Sequence, residues 1–135
     1  MTDRKVELLV PAGSLEVLKV AVDYGADAVY IGGQAYGLRA KADNFSIDEM
    51  KEAAAYAHAK NAKVYVTANI FAHNYDIDGM KTYFEQLKDT GVDAVLVSDP
   101  GIFTLAKETM PDMELHISTQ ANNTNYLTYN FWYKL

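Results

Sequence analysis

The 135-residue sequence contains no cysteine. A disulfide framework, a thiolate-ligated zinc site and a self-contained iron–sulfur site are therefore excluded for this chain. Excess positive charge is also lacking, because twelve Lys and Arg stand against eighteen Asp and Glu, which gives a net charge of −6. A dedicated nucleic-acid-binding module carries the opposite balance, so we do not expect this segment to bind nucleic acid.

Long hydrophobic runs and familiar catalytic motifs are missing too. No stretch is long enough for a signal peptide or a membrane span, so we expect a cytoplasmic location and no membrane partner. The sequence has no Gly-x-Ser-x-Gly elbow, no His-Glu-x-x-His pair and no phosphate-binding P-loop. Motif spacing therefore supplies no catalytic mechanism.

Half of the residues are hydrophobic, enough to build one core, and we predict a single domain over 1–135 with no internal boundary. Five short apolar runs rich in β-branched residues recur along the chain, and a stretch with helical periodicity follows each of them. The predicted strands are 6–10, 28–31, 63–68, 93–97 and 115–118. This alternation predicts an α/β fold with a parallel sheet.

The predicted helices have recognisable starts. Ser14 precedes the first, and Ser46 with Glu49 forms a capping box ahead of the second. Asp99 followed by Pro100 is typical of a helix N-cap and first position, and opens the fourth. The third is expected to begin near residue 74 or 76, and the fifth near residue 122.

A five-residue pattern, Gly-x-Asp-Ala-Val, occurs twice, at 25–29 and at 91–95. Each copy lies just before a predicted strand, with its glycine where a helix ends in a left-handed residue. Two interpretations remain open. Either a pair of βα units is duplicated, or two ordinary loops follow the same capping rule.

The strands alternate between an apolar and a polar face. In the fifth, Leu115 and Ile117 lie on one face, while His116, Ser118 and Gln120 lie on the other. Strands covered by helices on both sides would be apolar throughout, so a barrel with polar groups in its lumen fits better than a doubly wound sheet. The predicted lumen set is Glu7, Tyr30, Tyr65, Thr67, Asn69, Asp99, His116, Ser118 and Gln120.

Five strands do not close an eight-stranded barrel, which takes about 250 residues. We therefore predict the first half of a TIM-type barrel, truncated after about five strands. Its open parallel edges are expected either to self-associate or to pair with the missing half-barrel of a longer protein.

Six segments of the chain resemble the N-terminal part of the collagenase-like peptidase family, the unknown-mechanism peptidases numbered thirty-two. They are 7–14, 24–33, 44–46, 63–69, 97–101 and 116–122, in the family's order and across essentially the whole chain. The resemblance implies a barrel-like domain of a cytoplasmic bacterial or archaeal protein. Some members are described as proteases acting on collagen, whereas relatives take part in tRNA uridine or ubiquinone hydroxylation with cysteine-bound iron–sulfur clusters.

The resemblance leads to three hypotheses of function. The first is a peptidase that hydrolyses a peptide or small-molecule substrate. The second is a non-proteolytic factor for tRNA uridine or ubiquinone hydroxylation, whose iron–sulfur ligands lie beyond this chain. The third is an inactive structural fragment that needs a partner. No cofactor is expected in this chain, and a metal or iron–sulfur cluster in the full-length protein remains open.

Asp99 and His116 are the candidate catalytic residues. Asp99 follows a strand and could act as an acid, a base or a metal ligand, although an aspartate before Pro100 is also an ordinary N-cap. His116 lies on the lumen face and could pair with Glu7, or be a hydrogen-bonded structural histidine. No metal-ligating set is predicted.

The candidate substrate-binding residues lie at or beyond strand ends. Amides there can fix a substrate without charge, and an arginine in the long loop after the second strand could bind a carboxylate or phosphate. The candidates are Arg39, Asn69, His73, Ser118, Gln120 and Asn122. A loop-bracing role for Arg39, an uncommitted role for His73 and helix capping by Asn122 remain alternatives. We interpret the aromatic run at 126–133 as core, or as surface bared by truncation, rather than as a nucleobase platform.

Overall fold

The computed structural model describes residues 6–37 and 44–135. Within them, five strands alternate with five helices. The elements are β1 (Leu9–Pro11), α1 (Leu15–Asp23), β2 (Ala28–Gly32), α2 (Ile47–His58), β3 (Lys63–Thr67), α3 (Ile77–Leu87), β4 (Ala94–Val97), α4 (Pro100–Thr109), β5 (Glu114–Ile117) and α5 (Tyr126–Tyr133).

The five strands form one parallel sheet in the order β1-β2-β3-β4-β5. A doubly wound sheet reverses its strand order at a switch point, whereas a β/α barrel adds each strand beside the one before it. The predicted first half of a TIM-type barrel is therefore confirmed in its architecture.

Helix starts follow the predicted caps. The Ser46 hydroxyl accepts from the Glu49 backbone N–H at 3.2 Å, and the Glu49 carboxylate accepts from the Ser46 N–H at 2.8 Å. Asp99 Oδ1 accepts from the Ile102 N–H at 2.9 Å, and Ser14 caps α1 in the same way. These bonds satisfy N–H groups that the first turn of a helix leaves without partners.

Two boundaries, one toward each end of the chain, differ most from the prediction. The last helix does not begin near Asn122, which has a left-handed φ of 53° and ends a short 3₁₀ turn. Asn125 supplies the cap instead, since its Oδ1 accepts from the N–H groups of Leu127 and Thr128 at 3.0 Å. At the other end of the chain, β1 is shorter and lies later than the predicted run.

The two faces of the sheet differ as the alternation predicts. The helix-facing side holds the main core, in which side chains of β2, β3 and β4 pack against the helices. Fully buried members include Leu18, Ile31, Met50, Val64, Val66, Phe84, Val95 and Ile102. Each such side chain contributes about 1.5–3 kcal/mol relative to exposure. The opposite face holds only a small cluster around Ala28, Tyr65 and Ala94.

The repeated Gly-x-Asp-Ala-Val pattern performs the same task twice. Asp27 Oδ2 accepts from the Leu8 N–H at 2.9 Å, while the Asp27 N–H donates to the Leu8 carbonyl at 2.9 Å. Asp93 repeats this pair of bonds with Val64, at 2.7 and 2.8 Å. The glycines that precede them have φ angles of 101° and 84°, which other residues rarely adopt. A shared loop chemistry at the amino end of the sheet therefore accounts for the pattern.

In the part of the chain that the structure describes, every helix is too short or too polar to cross a bilayer.

Candidate functional site

A cavity of about 590 Å³ opens at the carboxyl ends of the strands, the end at which β/α barrels place their active sites. Apolar side chains from the first, second and fourth strands line one part of it: Leu9, Pro11, Tyr30 and Leu96. Polar side chains line the rest: Asn44, Thr67, Asn69, Ser118 and Gln120. We call this space the strand-end cavity.

Three predicted binding residues meet in this cavity. Asn69, just after β3, donates from Nδ2 to Ser118 Oγ at 3.1 Å and to Gln120 Oε1 at 3.0 Å. The Ser118 hydroxyl also donates to Gln120 Oε1. Asn69 and Ser118 are buried, whereas Gln120 is exposed. The structure therefore brings together residues that lie about fifty positions apart in the sequence, as the separation of 51 between Asn69 and Gln120 shows.

The network leaves hydrogen-bonding capacity on two side chains that line the cavity. A side-chain amide has a donor end and an acceptor end. The bonds in this network use the donor end of Asn69 and the acceptor end of Gln120. The side-chain carbonyl of Asn69 and the amino group of Gln120 have no partner within residues 6–37 and 44–135. The site thus presents one uncharged acceptor and one uncharged donor beside apolar walls.

Deeper in the lumen, His116 does not pair with Glu7, which was one of its two alternatives. Tyr65 takes that position, since its hydroxyl donates to Glu7 Oε2 at 2.8 Å. The His116 ring lies edge-on to Tyr65, with centroids 4.8 Å apart, and its Nε2 pairs with Glu114 Oε1 at 2.7 Å. Burial, and then the hydrogen bond to Glu7, raise the pKa of Tyr65, so its phenol stays protonated well above neutral pH. His116 is in the lumen but not in the wall of the strand-end cavity.

The other predicted site residues are dispersed. Asp99 caps α4, so the capping interpretation accounts for its contacts. His73 lies in an exposed loop after β3, and Asn122 is exposed beyond β5. Arg39 lies outside the described residues. Their proposed roles in binding or catalysis stay predictions.

Two features of the site were missed at the sequence level, and both involve the adjacent glycines after β2. A Cβ at Gly32 would lie 2.8 Å from Asn44 Oδ1, a side chain of the cavity wall. A Cβ at Gly33 would lie 2.0 Å from the Tyr83 hydroxyl, which is buried without a hydrogen-bond partner among the described residues. The glycine pair signals a close approach, but only the fold reveals that Asn44 and Tyr83 make it.

The described residues do not fit a metal or iron–sulfur cofactor. None of their His, Asp and Glu side chains form a group of three or more that could hold a metal ion, and the sequence has no cysteine.

Comparison with known proteins identifies relatives of nearly the whole chain. The model of peptidase family U32 matches residues 13–135. The tRNA hydroxylation protein P1 of Bacillus subtilis is 50% identical over 129 residues, which cover 96% of this chain and 31% of that protein. The tRNA hydroxylation protein P of Escherichia coli is 41% identical over 134 residues, 97% of this chain and 29% of that protein. The chain thus spans about a third of the length of these relatives.

A solved structure, that of the U32 peptidase Mk0906, has the same fold. It superposes with a TM-score of 0.69 at 16% identity, over 90% of this chain and 51% of that one. At this identity the likeness concerns the fold alone.

The relatives correct the leading functional hypothesis. The two relatives described above, 50% and 41% identical to this chain, are named for tRNA hydroxylation, so the interpretation as a peptidase, protease or hydrolase is wrong. The alternative of a hydroxylation factor agrees with those names.

Proposed function

Because this chain belongs to peptidase family U32 and is similar to proteins named for tRNA hydroxylation, we propose that it forms the N-terminal barrel segment of a tRNA hydroxylation protein. Its task in this proposal is to hold the uracil base of the target uridine in the strand-end cavity. The observation that carries the proposal is the Asn69–Ser118–Gln120 network, which faces that cavity with one donor and one acceptor.

The chemistry of the cavity suits a neutral heterocycle. A uracil edge offers an N–H donor between two carbonyl acceptors, which complements the free side-chain carbonyl of Asn69 and the free amino group of Gln120. Apolar residues such as Leu96 and Tyr30 line the same space and can cover the faces of a planar ring. Unstacked bases in RNA loops are read in this way, through their edges and faces.

The negative charge of the chain limits which contacts it can make with RNA. Contacts to bases provide specificity, while contacts to phosphates, which need positive charge, provide most of the affinity. With a net charge of −6, this segment is suited to the first task, and we assign the phosphate contacts to other parts of the protein. The redox chemistry is likewise assigned to groups outside this chain, and the location to the cytoplasm, where tRNA is found.

The open edges of the sheet belong to the same proposal. β1 pairs only with β2 and β5 only with β4 among the described residues. Unpaired parallel edges are completed by further strands, so we expect them to pair with the rest of a longer protein or with a second copy.

The proposal is tested by deleting the gene in a host that has no second copy. Hydrolysed total tRNA is then analysed by mass spectrometry for hydroxylated uridine. We expect this nucleoside to disappear and to return when the complete gene is supplied on a plasmid. Normal hydroxyuridine in the deletion strain would contradict the proposal, and a defect confined to hydroxylated quinones would favour ubiquinone as substrate.

A further inference from the structure

The loop that follows β3 exposes three aromatic rings. Ile70 and Ala72 pack against the main core, so the side chain of Phe71 between them turns away from it. Phe71 is 72% exposed and Tyr75 is 82% exposed. His73, between them, is exposed as well. We call Phe71, His73 and Tyr75 the aromatic loop.

The aromatic loop is held in a defined shape. The Ile70 N–H donates to the Tyr36 carbonyl at 3.3 Å, and the His73 N–H donates to the Asp76 carboxylate at 2.8 Å. The His73 ring stacks on Tyr75 with centroids 5.4 Å apart and planes 17° apart. A surface ordered before binding loses less conformational entropy when a ligand arrives. Neighbouring exposed aromatic residues on an anchored loop are typical of a binding surface.

The loop begins beside the strand-end cavity. Asn69, whose side chain lines the cavity, directly precedes Ile70 in the chain. Tyr36, which anchors Ile70, directly precedes Gly37, another residue of the cavity wall. An RNA strand that places a base in the cavity therefore brings its neighbouring nucleotides to this side of the molecule.

We propose that the aromatic loop binds the unstacked nucleotides that flank the target base, by stacking on Phe71 and Tyr75. This inference rests on the proposed function. Stacking suits an acidic chain because every base has a π-face, and the interaction needs no positive charge. Among the described residues that line the cavity, none is a lysine or an arginine that could bind phosphate.

Two other exposed aromatic regions do not lie beside the strand-end cavity. Tyr24, 88% exposed, lies in the turn between α1 and β2, at the amino end of the sheet. The aromatic residues of α5 lie over the helix-facing side, where Trp132 packs edge-on against Phe103 at 5.5 Å. Tyr24 therefore serves as a control with matched exposure and chemistry but the wrong location.

The test measures binding of total tRNA from the deletion strain to the complete gene product, by fluorescence polarisation. We expect the double variant Phe71→Ala/Tyr75→Ala to raise the dissociation constant about thirtyfold or more, because it removes two stacking faces. Tyr24→Ala should bind like the wild type. The conservative pair Phe71→Tyr and Tyr75→Phe should keep the affinity, because each retains an aromatic face.

Salt dependence and thermal stability distinguish stacking from a phosphate contact and from a structural role of the loop. If the loop stacks on bases, the double alanine variant should raise the dissociation constant by the same factor at low and high salt. If the loop contacts phosphate, that factor should shrink as the salt concentration rises. Wild-type affinity of the double alanine variant would overturn the inference. So would a large drop in its melting temperature, which would show that the rest of the protein covers the loop.

Failure of this inference and failure of the proposed function give different results. If the gene deletion leaves hydroxyuridine in tRNA, the proposed function is wrong. If the deletion removes it and the double alanine variant restores it fully, with unchanged tRNA affinity, only the aromatic loop is wrongly assigned.

Discussion

The two ends of the parallel sheet both carry polar side chains, but these side chains have different kinds of partner. At the amino end, Asp27 and Asp93 bond to the backbone of the neighbouring strand. At the carboxyl end, Asn69, Ser118 and Gln120 bond to one another and keep a donor and an acceptor for the cavity. A polar group satisfied by the backbone stabilises the fold, whereas a group satisfied only in part by other side chains remains available to a ligand.

The comparison predicts that changes at the amino end affect stability far more than binding. The largest effect is expected for Asp93→Ala, which removes the acceptor of the Val64 N–H and the partner of His58, 2.9 Å away. Val64 is fully buried, and an unsatisfied buried N–H costs about 1–3 kcal/mol. We expect the free energy of unfolding to fall by about 2 kcal/mol in urea titrations, with tRNA affinity unchanged at temperatures where the variant is folded.

Matched variants sharpen this test. Asp27→Ala should lose less stability, because its equivalent bonds go to Leu8, which is 52% exposed, so water can replace the lost acceptor. Asp89→Ala changes an exposed aspartate just before the same loop and should shift stability by less than about 0.5 kcal/mol. An Asp93 variant with normal stability but weak tRNA binding would break the distinction between the two ends.

The opposite outcome is expected at the carboxyl end. Gln120→Ala removes a donor from the cavity, while Asn69 keeps its bond to Ser118. Loss of one uncharged hydrogen bond corresponds to about three- to tenfold weaker binding. Because Gln120 is exposed, we expect the melting temperature of the complete gene product to be nearly unchanged.

The control for this variant is Gln86→Ala, an exposed glutamine on α3 outside the cavity wall. It should bind tRNA normally. A Gln120 variant that binds as tightly as the wild type would remove this residue from the site, and one that unfolds would move it to the structural group with Asp93.

The features that could be predicted from sequence depend on short-range geometry. The caps at Ser46 and Asp99 bridge only three residues, so the sequence contains both partners. The faces of the strands follow from alternation, which placed Ser118 and Gln120 on the same side as Asn69. The convergence of strand ends at one edge of a parallel sheet then predicts their meeting.

The features that could not be predicted depend on register or on competing local signals. Alternation places Glu7, Tyr65 and His116 on one face, but only the alignment of strands shows that Tyr65 separates the other two. Asn122 and Asn125 are both good capping residues, and the left-handed turn at Asn122 decides between them. The peptidase hypothesis was wrong because it came from the family resemblance alone, and the polar groups at the strand ends indicate that something binds there, not which reaction follows.

The smallest effect is expected for Tyr65→Phe, in the lumen between the two ends. Loss of the bond to the exposed Glu7 should lower the free energy of unfolding by about 0.5–1 kcal/mol at pH 7. Burial and the hydrogen bond to Glu7 raise the pKa of Tyr65 above its ordinary value of 10.0.

This pKa shift gives the Tyr65 prediction a pH dependence. The unfolded chain releases the phenolic proton near pH 10 and the folded chain does not, so the contribution to stability is complete below that pH and is lost as the pH rises above it. Urea titrations between pH 8 and about 11 should show a shallower alkaline decline for Tyr65→Phe than for the wild type. Some decline should remain, because burial also raises the pKa of Tyr83. Identical slopes in the two proteins would show that Tyr65 ionises as easily in the folded chain as in the unfolded chain. Tyr65 would then be accessible to solvent, like the groups at the carboxyl end.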